Sequence, residues 1–295
     1  MTNNISTEKL NDLIAKNFGR QPKDLLLVGR GEISTTYSFG VGSKKYIIRL
    51  AGKDTGFKND RFIAKFSSDK LYIPATLYMG RIEDNFYSIT QKCPGHLIDD
   101  FDYNNRVNLL SDFIKVTHHF HSLSINSTSG FGPLDDNGNG VFNSWLDFLS
   151  NLSQGSSSFW PRDYFFRQNQ KIIISLKFIP SIRQLVHGDY GFNNVFASHG
   201  SISGIIDWSD AKYGDFVYDI AYLSFWSKSI DYSKVFFNFY RSQDQLDLSN
   251  FFHRFYCYTI HAALSLLNYY SVTKQLVSFD FIKGKLDDFI EQYSI

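Results

Sequence analysis

A chain of 295 residues that is 43% apolar and 20% charged is long enough for a large core divided over two lobes, and too apolar to be disordered. Thirty basic residues against twenty-nine acidic ones leave a net charge of +1 with no long run of either sign, which argues against nucleic acid as a bulk electrostatic partner. Two widely separated cysteines, Cys93 and Cys257, are too few for a disulfide framework or a zinc site, and a reducing compartment fits them.

The amino terminus, Met1–Leu10, is polar and lacks the apolar core of a signal peptide, so a cytoplasmic protein is expected. No stretch approaches the roughly 18 consecutive apolar residues of a spanning helix, and no membrane association is expected. Leu10, Leu13 and Ile14 at helical spacing predict a helix over Thr7–Asn17. Asp24–Val28 is a short apolar run ending in Gly29-Arg30-Gly31. Thr35–Val41, the turn Gly42-Ser43 and Lys45–Leu50 then read as a hairpin. A polar stretch, Gly52–Asp60, leads to a predicted helix over Asp60–Lys70, and Ala75–Gly80 and Phe86–Gln91 supply two further strands. Pro94-Gly95 interrupts the pattern, which places a lobe boundary between residues 93 and 94.

The second lobe starts helical, because Val107, Leu110, Phe113, Ile114, Thr117, Phe120 and Leu123 recur at three and four over Asn104–Leu123. Ser129–Gly140, rich in glycine and asparagine, reads as a loop; Trp145–Leu152, Phe165–Phe178 and segments after Tyr218 read as helices. Between them Gln184–Val186 and Ile202–Ile206 are short apolar runs, each followed at once by polar residues.

Those two strand ends carry the chemistry. His187-Gly188-Asp189-Tyr190-Gly191-Phe192-Asn193-Asn194 is followed by Gly204-Ile205-Ile206-Asp207-Trp208. Phosphoryl transfer needs such a set: a carboxylate to orient the attacking hydroxyl and accept its proton, and an amide oxygen with a second carboxylate to hold Mg²⁺ on the phosphates. No Walker A motif or nucleophile elbow is present, which disfavours a P-loop enzyme and a serine hydrolase.

The loop His-x-Asp-x-x-x-x-Asn with an aspartate after the next short hairpin resembles the aminoglycoside phosphotransferases and their kinase-like relatives. Gly31-Glu32 with Ser34, Gly56 through Asp60-Arg61, Ser129-Gly130-Phe131-Gly132-Pro133, Trp145 with Asp147-Phe148, and Gly214-Asp215 extend the likeness up to about Trp226. The resemblance implies an α+β, bilobal protein-kinase-like fold: an antiparallel sheet with a helix over 1–93 as the nucleotide-binding lobe, then a mostly helical catalytic and substrate-binding lobe over 94–295. It makes Asp189 the catalytic residue, Asn194 and Asp207 the Mg²⁺ ligands, and His187 a structural residue of the loop.

Gly31, Ser34 and Thr35 would cover the triphosphate of ATP or GTP, and backbone groups of Gln91–Cys93 would meet the base. Where many relatives carry lysine, this chain has Arg49, which keeps the charge and can fork onto two acceptors; Asp60 is its expected acidic partner. Cys93 itself is expected to be a packed side chain. Asp99, Asp100 and Asp210 are the carboxylates expected to meet a polycationic acceptor, an aminocyclitol such as hygromycin B, with Trp208 as a flat wall; Trp226 is expected in the core. Asp215 and Asp219 are expected to fix the loop and the next helix by capping. His118, His119 and His121 sit together on the predicted helix without further ligands near in sequence, so a metal role is not assigned to them. A monomer is expected. Choline, homoserine or methylthioribose as acceptor, or a silent nucleotide-binding module, are the competing readings.

Overall fold

The computed structural model describes residues 5–152, 160–227, 230–243 and 246–293. In chain order the elements are helix α1 (Thr7–Phe18), strands β1 (Lys23–Arg30), β2 (Ser34–Val41) and β3 (Lys44–Ala51), helix α2 (Thr55–Ile63), strands β4 (Thr76–Ile82), β5 (Asn85–Gln91) and β6 (His96–Leu97), and helix α3 (Tyr103–His121). Strands β7 (Phe131–Leu134) and β8 (Gly140–Phe142), helices α4 (Trp145–Ser150) and α5 (Arg162–Ser175), and strands β9 (Gln184–Val186), β10 (Val195–Ser198), β11 (Ser201–Ile205) and β12 (Lys212–Gly214) follow. Helices α6 (Val217–Trp226), α7 (Tyr232–Tyr240), α8 (Phe251–Val272) and α9 (Leu276–Gln292) complete the α+β fold. No helix among the described residues is long and apolar enough to cross a membrane.

The chain forms two compact units, and neither ends at residue 93. The first continues to Val116 and takes back Phe192–Asp210; the second comprises Thr117–Gly191 and the chain from Ala211 on.

In the first unit an antiparallel sheet runs β1-β2-β3-β5-β4. Ser6 caps α1 through its side chain and Gly19, at φ +67°, ends it in the left-handed region that glycine adopts without strain. Leu10 and Ile14 of α1 pack on Phe39, Ile48, Leu50, Tyr87 and Ile89. Side chains alternate across a strand, so Ile48 and Leu50 face α1 while Arg49 faces the other way. The β10–β11 hairpin joins this unit by pairing Phe196 with Leu97 and Ala197 with His96. Ser203 Oγ donates to the Pro94 carbonyl (2.6 Å), Ile205 N to the Tyr72 carbonyl (3.0 Å) and Ile202 N to Asp112 Oδ2 (2.6 Å). Gly95 is held here at φ +86°, and any β-carbon would meet the Ala197 carbonyl at 2.0 Å.

In the second unit β8-β7-β12-β9 form a four-stranded antiparallel sheet, and α8 is buried along most of its length among α5, α6 and α9. Asp215, fully buried, accepts from Arg254 Nη1 (3.0 Å), Tyr258 Oη (2.7 Å) and the Val217 amide (3.0 Å), which caps the start of α6 as expected. Gly214 is fixed by Trp145, whose ring would lie 2.3 Å from a β-carbon there.

Several expectations are corrected. Helix α2 starts at Thr55 and closes at Ile63 before a 3-10 turn, Ala64–Phe66, so Asp60 lies inside the helix rather than at its head. The glycine-rich segment expected to be a loop contains β7 and the start of β8, and the Asp135 carboxylate orders their connection by accepting from the amides of Asn137 and Asn139 (2.9 Å each). Val107, expected on the apolar stripe of α3, is exposed, and Trp226, expected in the core, is partly exposed beside Phe281.

Candidate active site

Within the first unit, β3 presents Arg49 away from α1 and toward α2. Its guanidinium forks: one nitrogen pairs with Asp60 and the other, Nη1, with Asp207 Oδ1 at 2.9 Å, while the ring of Phe57 lies 5.2 Å away. Burial opposes the charge on Arg49, but Asp60 and Asp207 outweigh it and hold its pKa above the ordinary value. Asp60 is thus the acidic partner expected from the sequence.

Asp60 does a second job. Its Oδ1 accepts from the Trp208 amide (2.7 Å), and the preceding helical residue, Asn59, donates from Nδ2 to the Ser209 carbonyl (2.7 Å). Gly56, one turn earlier on the same face, would place a β-carbon 2.9 Å from Ser209 Cβ. Three residues of α2 therefore grip the turn after Asp207, a spacing of i, i+3 and i+4 that only a helix brings onto one face. That grip matters because Asp207 sits at φ +60°, a conformation that Asp and Asn tolerate better than other side chains.

Asn194 stands at the same open end of the hairpin, on the strand opposite Asp207. Its carbonyl accepts from the Ile206 amide (2.9 Å), and Val195 pairs with Ile205, so the chain segments carrying Asn194 and Asp207 are tied together within one unit. Replacing Arg49 by methionine leaves two neighbouring carboxylates without their cation; it is expected to lower unfolding free energy by about 1–3 kcal/mol, with Arg49→Lys losing less. Urea denaturation measures both, and equal losses would show that shape rather than charge holds the cluster.

The β1–β2 turn is closed by Gly31 N donating to the Ser34 carbonyl (2.8 Å), leaving Glu32 and Ile33 at an exposed tip. Ser34 pairs with Ala51 and Thr36 with Arg49, whereas Thr35 pairs with Leu50. Alternation puts Thr35, which is buried, on the α1 face of the sheet. Thr36, which the sequence reading passed over, is the hydroxyl beside Arg49; counting partners outward from the Gly42-Ser43 turn, with Val41 opposite Lys44, would have found it.

Gln91 is exposed at the end of β5. Cys93 is buried, its thiol donating weakly to the Ser203 carbonyl (3.6 Å), and burial pushes its pKa up to about 12, which removes it as a nucleophile. Asp99 pairs with Arg106 (3.3 Å), Asp100 is exposed beside it, and Asp210 is exposed after Trp208. Trp208 itself is fully buried, with Nε1 donating to the Ile205 carbonyl (3.2 Å), so it is core and not a wall for a sugar.

Within the second unit, Asp189 follows β9 and is half-buried. His187 is buried; its amide and that of Gly188 donate to Asp219 Oδ2 and Oδ1 at 2.8 Å each, and its Nδ1 accepts from the Asp189 amide (3.3 Å). Gly188 takes φ +87°. A carboxylate from α6 thus fixes the backbone ahead of Asp189, and the histidine ring supports the next amide. His118 packs its ring against Phe239 and Tyr240.

The phosphotransferase enzyme family matches residues 24–247 of this chain, well over half its length. Hygromycin-B 4-O-kinase of Escherichia coli is 30% identical over 212 residues, 69% of this chain but only 62% of that enzyme, less than two thirds of its length. A crystal structure of aminoglycoside phosphotransferase APH(4)-Ia superposes with a TM-score of 0.87 at 25% identity, covering 98% of this chain and 99% of the other. A thermostable mutant of the same enzyme, in a ternary complex with AMP-PNP and hygromycin B, gives a TM-score of 0.85 at 26% identity, covering 96% and 98%. The fold is that kinase-like fold, and the chain belongs to the phosphotransferase enzyme family.

Proposed function

We propose that the chain transfers the γ-phosphate of ATP or GTP directly to a hydroxyl of an aminoglycoside of the hygromycin B kind, with Mg²⁺ on the phosphates. The observation that carries this reading is the contact of Arg49 with Asp207, which joins a cation on the third strand of the sheet to a carboxylate at the end of the hairpin that also bears Asn194. The ternary complex of the similar APH(4)-Ia with AMP-PNP and hygromycin B supports the choice of nucleotide and acceptor.

The residues present suit Mg²⁺. Asn194 and Asp207 offer oxygen donors only, the chemistry of a hard cation, and the Asp207 side chain is 36% exposed. Held by these two residues, Mg²⁺ would neutralise charge on the phosphate oxygens. Arg49 turns its fork from Asp207 to the α- and β-phosphates, a geometry guanidinium matches in two parallel bonds. Ser34 and Thr36, with the exposed amides at the β1–β2 tip, cover the triphosphate, and the backbone of Gln91–Cys93 meets the edge of the base. Asp189 orients the acceptor hydroxyl and takes its proton as the phosphoryl group leaves the nucleotide, without a phosphoenzyme. Exposed Asp210 and Asp100 offer carboxylates to the acceptor's ammonium groups; Asp99 does so in competition with Arg106.

The test is transfer from radiolabelled ATP, and separately GTP, to hygromycin B, other aminoglycosides, choline, homoserine and methylthioribose, with Asp189→Ala as the blank. A labelled hygromycin B product absent from the blank is the expected result. Transfer to another alcohol alone would reassign the acceptor, and nucleotide binding with no transfer would point to a silent module.

A further inference from the structure

The histidine cluster on α3 is not used by the mechanism above, and one member of it reaches, through Asp219, the loop that carries Asp189. His121, Asp219 and Tyr240 are all fully buried within the second unit. His121 Nε2 donates to Asp219 Oδ2 at 3.1 Å, and its Nδ1 lies 3.1 Å from the Tyr240 hydroxyl. The carboxylate can only accept, which fixes the proton on Nε2, and Tyr240 then supplies the donor that the other ring nitrogen needs.

Asp219 therefore receives three donors: the His187 amide, the Gly188 amide and the imidazole. The geometry is demanding. A carboxylate wholly removed from water favours its neutral form, and a protonated Asp219 would turn an acceptor oxygen into a donor facing an amide. Burial does push the Asp219 carboxyl up, but the hydrogen bond and proximity of His121, then His187 and the Gly188 amide, outweigh it and leave the pKa below the usual value. The end of α3 touches the loop a second time through Thr117 Oγ1, 2.6 Å from the Tyr190 hydroxyl.

We propose that His121 is a positioning residue for phosphoryl transfer: it holds Asp219 oriented so that its two oxygens fix the amides of His187 and Gly188 and so set the place of Asp189. This rests on the reading of Asp189 as the group that orients the acceptor hydroxyl. A histidine that merely filled the core would affect stability and leave turnover of the folded protein alone.

Three variants separate these roles. His121→Leu keeps much of the volume and removes the donor; His121→Gln restores an N–H near the position of Nε2; Tyr240→Phe removes only the outer support. With folding verified by circular dichroism, His121→Leu is expected to lower kcat about 30- to 100-fold, since a displacement of about 1 Å at a reacting group costs that much, with nucleotide KM within about twofold. His121→Gln is expected to return to within about fivefold of the parent, and Tyr240→Phe to lose about two- to fivefold. Amide hydrogen exchange at His187 and Gly188, followed by NMR, should quicken in His121→Leu and recover in His121→Gln.

Unchanged kcat in folded His121→Leu, or equal losses in the Leu and Gln variants, overturns the proposal, as does a parallel rise in nucleotide KM. If the parent protein transfers phosphate to no acceptor, the functional reading fails by itself, and exchange at His187 and Gly188 still decides whether His121 orders the loop.

Discussion

Replacing Asp189 by alanine is expected to lower phosphate transfer by about 10³-fold or more while nucleotide affinity stays within about twofold. The split follows from where the groups reside. Arg49, Ser34, Thr36, Asn194 and Asp207 belong to the first unit, and Asp189 belongs to the second. The loop around Asp189 is held by backbone amides on Asp219 and by the His187 ring, so removing the Asp189 side chain leaves those bonds in place. Steady-state transfer to hygromycin B, paired with titration of a fluorescent nucleotide, measures the two quantities separately. Asp189→Asn is a sharper version: it keeps the size and an acceptor oxygen but loses the basicity, and should lose nearly as much. A variant that lost transfer and nucleotide binding together would make Asp189 a residue of the scaffold.

Much of this was legible in the sequence because the relevant patterns are short and strict. The sheet order around Gly42-Ser43 follows from two apolar runs and a two-residue turn, and β2 and β3 lie within one residue of where those runs placed them. The order Asp189, Asn194, Asp207 could be picked out because phosphoryl transfer constrains residue types more tightly than packing does. Asp60 could be named from its place at the head of the predicted second helix, and it meets Arg49 as expected, though from the middle of α2.

The parts that escaped the sequence share a physical cause: they depend on contacts between segments distant in the chain. β10 and β12, of four and three residues, have no periodicity to detect, and they exist because β11, β6, β7 and β9 pair with them. The strands inside the glycine-rich segment are masked by composition, since the Gly130 turn needs φ +69° and brings a β-carbon position within 2.0 Å of the Gly140 carbonyl. Trp208 reads as a sugar wall by residue type alone, yet α2 draws its amide onto Asp60 and the ring into the core. Asp219 was expected to fix the loop and the next helix by capping; it lies within α6, where it holds the loop before Asp189 through two amides and receives His121, a residue 98 positions away.

The second large effect is expected at Asp207. Asp207→Asn should weaken nucleotide binding in the presence of Mg²⁺ by about 100-fold or more, because the proposed anionic ligand of the metal becomes neutral, and transfer should fall at least as far. Without Mg²⁺ the affinity should not fall. Arg49 then loses one of its two carboxylate partners, and a guanidinium released from Asp207 is better placed to meet phosphate. Isothermal titration with and without Mg²⁺ reads both affinities, and an equal loss in the two conditions would remove Asp207 from the metal site. The backbone supplies an independent check. At φ +60° asparagine is tolerated, whereas alanine costs about 1 kcal/mol more, so Asp207→Ala should unfold more easily in urea than Asp207→Asn by about that amount. Both variants lose the same charge, and their difference isolates the turn that Asp60, Asn59 and Gly56 hold in place.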